Sequence, residues 1–199
     1  GGSPTPSNPV AWWVAGLLIV IAISGVVYSL RGRDAAPAAA MANDGNANPL
    51  AGTPAPDISN MSPTERFMRL HNRILDASEK GDTNTVVNFW PMTVGAYQNL
   101  TEAERTVDIR YHMATLYLLM PLYPEVAALA DTILKQSPNN LAGYYLQGIA
   151  AAGQGNSSAA TAAQALFLKH YPTEITKDHQ EYLDHRPVFD QYFRQAGGK

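Results

Sequence analysis

Two prolines constrain this chain most: Pro138 and Pro172 stand 34 positions apart, and each closes a stretch patterned like a pair of packed helices. Read back from Pro172, the segment Leu141–Pro172 places Tyr144 at a large apolar position and Gly148 where paired helices would approach. Gly155-Asn156 supplies a turn, and Ala160 a small residue on the second helix. Read back from Pro138, Val107–Pro138 repeats the arrangement, with Ala114 in the small slot, Tyr117 after it, Tyr123 at the turn and Val126 facing Ala114. The physical content is packing. Antiparallel helices approach closely only where a Gly or Ala marks the crossing, and larger side chains then fill the groove to the next hairpin. Proline ends a helix because its ring lacks an N–H and clashes with the preceding turn.

This spacing and slot pattern, together with Glu125–Asn140 (EVAALADTILKQSPNN) as a second helix and exit turn, resembles the tetratricopeptide repeat. The resemblance covers roughly half the chain. It implies an all-α fold over residues 61–199, an α-solenoid of about three helical hairpins with a C-terminal capping helix.

Upstream, the composition changes twice. Residues 1–30 carry no charged side chain, with residues 1–9 a polar tail. Val10–Leu30 (VAWWVAGLLIVIAISGVVYSL) is a continuous apolar run, long enough as a helix to cross a hydrocarbon core of about 30 Å. Trp12 and Trp13 at one end and Tyr28 at the other suit the headgroup level, and Arg31 and Arg33 stop the run. The basic residues follow the apolar core instead of preceding it, so a retained transmembrane helix is expected over residues 10–30. Residues 31–60 contain Pro37, Pro49, Pro54 and Pro56 among Ala, Asn and Gly. That segment buries too little to offset its ordering entropy, and reads as a flexible tether or a strap that orders along a partner.

Arg31 and Arg33 alone would place the following domain in the cytoplasm. Resemblance to membrane-anchored cytochrome c maturation factors with tetratricopeptide domains implies the periplasmic side of the inner (cytoplasmic) membrane instead. The expectation is therefore a single-pass inner-membrane protein with a periplasmic domain, the cytoplasm being the alternative.

Within residues 61–199, Ser62-Pro63-Thr64-Glu65 has the form of a capping box, followed at helical spacing by Phe67, Leu70, Ile74, Leu75 and Ala77. Gly81-Asp82 predicts a turn into a helix carrying Val86, Val87, Phe89 and Trp90, interrupted at Pro91. A second box, Thr101-Glu102-Ala103-Glu104, predicts the start of a helix through Met120. Thr173 is expected to cap a polar helix through Leu183, and Pro187 to begin a last short one whose Phe189 and Phe193 tuck back onto the final hairpin.

Net charge is −3, which argues against nucleic acid as a partner, and cysteine is absent. No nucleophile elbow, Ser-x-x-Lys pattern or phosphate loop is present, so neither an enzyme nor a cofactor is expected. His179 and His185 lie near Asp178, Glu181 and Asp184 but are six positions apart, which does not put them on one helical face. A solvated helix end is the expectation there, with no metal. His71 and His112 fall on first helices of their hairpins, where they would meet in the groove.

Tyrosine is the suggestive residue. Tyr111 and Tyr145 occupy the same slot in successive hairpins, with Thr115 and Ile149 one turn on. Aromatic and aliphatic groups in a groove offer a protein partner large contact area at low entropic cost. Met68, His71, Tyr111, Thr115, Tyr145 and Ile149 are thus the expected partner-binding residues. The whole layout implies a non-catalytic accessory subunit of a larger membrane complex, of the respiratory or photosynthetic type, held through its extrinsic subunits. The alternative is an assembly factor or chaperone that captures client peptides in the groove.

Overall fold

The computed structural model describes residues 61–198. The expected span at 10–30, its interface residues Trp12, Trp13, Tyr28, Arg31 and Arg33, and the segment 31–60 lie outside the described residues. Among the described residues no helix is long and apolar enough to cross a membrane.

Seven helices and no strand make up the described part: α1 (Pro63–Glu79), α2 (Thr83–Gln98), α3 (Val107–Leu119), α4 (Tyr123–Gln136), α5 (Leu141–Gly153), α6 (Ser157–Glu174) and α7 (Gln180–Gln195). Short turns join α1 to α2, α3 to α4 and α5 to α6, and each of these pairs packs together as a hairpin. Side-chain caps fix where most of them start. Asp82 accepts from Thr85 N (3.0 Å), Thr106 from Ile109 N (3.3 Å), Asn140 from Ala142 N (2.9 Å) and Asn156 from Ala159 N (3.1 Å), each satisfying an amide that has no partner inside its helix. Gly81 and Gly155 take positive φ at the turns that close α1 and α5, where a side chain would be strained.

Two apolar cores share α3 as a wall. Ile109, Met113 and Leu116 face Phe67, Ile74, Val86 and Tyr97 of the first hairpin. Tyr111 and Ala114 face the other way, towards Val126, Ala130, Leu146, Phe167 and Phe189. A helix buried on both sides has no single apolar stripe, so α3 is read better by its slots than by its amphipathicity.

The boundaries expected at three prolines move, all for one reason. Pro91 does not interrupt the second helix: α2 runs through it. The ring points to solvent while Val86, Thr93 and Tyr97 are buried, and burial of that face outweighs the one backbone bond the proline removes. Likewise Pro172 lies inside α6 instead of closing it, Thr173 is a helical residue instead of a cap, and Pro187 lies inside α7 instead of beginning it. Glu174, Ile175 and Phe189 beyond these prolines are buried, which carries the chain past them.

The Thr101 box forms its reciprocal bonds, Thr101 N to Glu104 Oε2 (2.7 Å) and Glu104 N to Thr101 Oγ1 (3.3 Å), yet it closes a turn and not a helix. Arg105 donates to the Gln98 carbonyl (2.7 Å), folding the loop back on α2, so α3 starts afresh at Val107, capped by Thr106, and ends at Leu119. Tyr123, expected in the turn, is the first residue of α4.

Candidate functional site

The last helix decides what the inner face can do. α7 crosses α3, α5 and α6 and fills the surface between them. Phe189 is fully buried, with ring centroids 5.8 Å from Tyr111, 5.8 Å from Tyr145 and 6.3 Å from Phe167. Tyr192 meets Tyr145 (5.1 Å) and Phe167 (4.8 Å) edge-on, the arrangement aromatic quadrupoles favour. Phe193 stacks on Tyr171 at 4.0 Å. Gly148 gives Tyr192 room, and the small residue nearest it across the hairpin is Ala163. Ala160, expected at that crossing, is half-exposed.

Polar bonds pin the start of α7. Asn140, which caps α5 with its carbonyl oxygen, donates from Nδ2 to Glu181 Oε1 (2.6 Å). Leu141 N donates to the Tyr182 hydroxyl (2.9 Å), and that hydroxyl lies 3.4 Å from Glu174 Oε2. Asn140, Glu174, Glu181 and Tyr182 are all buried. Groups withdrawn from water hold one another, so α7 has a defined register on the α4–α5 junction.

Between the polar pin and the aromatic cluster sit three histidines and an aspartate. Asp108 and His112 are one turn apart on α3, with His112 Nε2 3.6 Å from Asp108 Oδ2. His185 comes from α7 and places Nε2 3.5 Å from Asp108 Oδ1. His71, from α1, packs edge-on to His112 at 4.6 Å between centroids, and its Nε2 lies 3.4 Å from Thr115 Oγ1. The His185 ring also lies 4.4 Å from that of Tyr111. Burial lowers the pKa of His71, and it lowers that of His112 to about 4 against the opposing pull of Asp108. Both imidazoles are therefore neutral at physiological pH. Asp108 Oδ1 and His185 Nε2 are buried without a hydrogen-bond partner.

His71 and His112 thus meet, as their positions on first helices suggest. The expected groove set divides. His71 and Tyr111 are buried, Thr115 sits beside them, and Tyr145 lies beneath Phe189 and Tyr192. Met68 packs on the first core, and Ile149 is half-exposed. His185 does not lie at a solvated helix end; it is inside α7 and faces Asp108. His179 stands just before α7, makes no side-chain capping bond to it, and stacks on Tyr182. The one local signal for the Asp108–His112 pair is its four-residue spacing. Nothing local pointed to His185 as their neighbour, because that depends on α7 folding back over α3.

Comparisons with protein-family models, with curated proteins and with solved structures found no match to this chain.

Proposed function

We propose that this chain is a non-catalytic, membrane-anchored docking subunit that stays bound to an extrinsic face of a larger membrane complex of the respiratory or photosynthetic type. The apolar run at 10–30 would hold it in the inner membrane, residues 31–60 would act as a strap, and the helical hairpins, tetratricopeptide-like in their slot pattern, would do the gripping on the periplasmic side. One observation carries the choice between a resident subunit and a peptide-capturing factor: the aromatic inner face is already filled by the chain's own α7, pinned by buried polar bonds. A client peptide would have to displace Phe189 and Tyr192, whereas a docked subunit can use outer surfaces and leave α7 in place. Leu183 and Val188 are large apolar side chains exposed on α7 and suit that role.

The test is retention through mild detergent extraction of the native membrane. The expected result is co-purification at fixed stoichiometry with one complex, weakened by Leu183→Glu with Val188→Glu while the thermal transition stays put. Substoichiometric recovery, with release by unrelated extended peptides, would point to the capture role and end the subunit reading.

A further inference from the structure

We propose that Asp108, His112 and His185 form a binding site for a divalent transition-metal ion of borderline softness, with zinc as the probe, clamping α7 to α3. One ligand atom from each of the three residues lies within 4.8 Å of the others. Tetrahedral zinc with bonds of about 2.0–2.1 Å holds its ligand atoms roughly 3.3–3.4 Å apart. His112 Nε2 faces Oδ2 of Asp108 at 3.6 Å and His185 Nε2 faces Oδ1 at 3.5 Å, so the two rings flank the two oxygens of one carboxylate. An ion would take that carboxylate through both oxygens, or draw the rings in from a set now spread over as much as 4.8 Å.

Three further observations bear on the ligand. Asp108 Oδ1 and His185 Nε2 are buried and lack hydrogen bonds, although buried polar atoms are nearly always partnered. A cation between them would satisfy both at once. The donor set of two imidazoles and one carboxylate, with no cysteine anywhere in the chain, selects against soft ions held by thiolates and, through its nitrogen donors, against magnesium and calcium. His71, packed edge-on against His112 and lying beside Thr115, acts as a positioning wall that restricts the His112 ring.

The arrangement joins residues 77 positions apart in the chain, His185 and Asp108, so binding would be linked to the seating of α7. This inference does not depend on the docking reading.

The experiment uses the full chain in detergent, stripped with chelator and titrated with zinc by calorimetry, followed by zinc-edge X-ray absorption. We expect one ion per chain, a first shell of nitrogen and oxygen at about 2.0–2.2 Å, and a raised unfolding temperature. Asp108→Asn, His112→Gln and His185→Gln should each weaken binding by at least ~10-fold, while His170→Gln and His179→Gln, away from the cluster, should not. Near-native circular dichroism of the zinc-free variants separates loss of the site from loss of the fold; should His112→Gln not fold, His185→Gln alone decides. Absence of stoichiometric binding, or binding that survives His185→Gln, overturns the proposal.

Discussion

The Tyr192 hydroxyl of α7 occupies the space where a Cβ on Gly148 of α5 would lie, 2.7 Å from that position. The tyrosine's ring carbon next to the hydroxyl is 3.8 Å away, so the conflict is with the oxygen alone. Gly148→Ala therefore gains helix propensity, worth up to about 1 kcal/mol, but displaces a buried aromatic, which costs about 1–3 kcal/mol. Net destabilisation is expected in thermal or denaturant unfolding, and Tyr192→Phe in the same chain should recover most of it. A Gly148→Ala chain as stable as the parent would show that α7 does not seat there.

Tyr111 is 3% exposed and packs against Phe189 and His185, so it belongs to the core and not to an open groove. Tyr111→Ala should cost about 3–5 kcal/mol, the range for removing a large buried ring. Ile149→Ala, at a half-exposed position, should cost much less. Equal small effects at both sites would restore the groove reading.

Arg110 is a buried cation whose guanidinium is paired with Glu102 and donates to Gln136 Oε1 at 3.3 Å. It joins the loop before α3 to the end of α4. Removing Glu102 would strand the buried guanidinium without its counter-charge, whereas removing the guanidinium leaves only an exposed carboxylate that water can hydrate. Glu102→Ala should therefore destabilise by about 2–3 kcal/mol, and Arg110→Met, which keeps an apolar stem in the buried position, by clearly less, as read from chemical denaturation midpoints. A Glu102→Ala chain as stable as the parent would show that the guanidinium needs no counter-charge there.

Burial raises the pKa of Tyr145 to about 12, and burial with the Asp190 hydrogen bond raises that of Tyr171 to about 12. Tyr111 and Tyr182 are raised as well, mainly by burial. The unfolded chain ionises its tyrosines near the ordinary value of 10. Stability tied to these phenols is thus complete below pH 10 and is lost as pH climbs from 10 towards 12. Absorbance titration at 295 nm should show only part of the ten tyrosines ionising by pH 11, with the rest released together at alkaline unfolding. A single smooth titration of all ten near pH 10 would contradict the packing of α7.

The residue pattern alone determined helical content, the turns at Gly81 and Gly155, and the use of small side chains at 114 and 148, because capping, glycine conformation and helix spacing act within a few residues. It likewise placed His71 and His112 on faces that meet. Tertiary structure decided the rest. Whether Pro91, Pro172 and Pro187 stop a helix depended on how much apolar surface beyond each could be buried, a sum made across helices and invisible in any short window. Whether Tyr111 and Tyr145 lined an open groove depended on α7, which folds back from far along the chain and brings Phe189, Tyr192 and His185 onto them. Local sequence sets which shapes a segment can take; burial against distant segments selects among them, and here that selection closed the inner face and assembled the histidine–aspartate cluster.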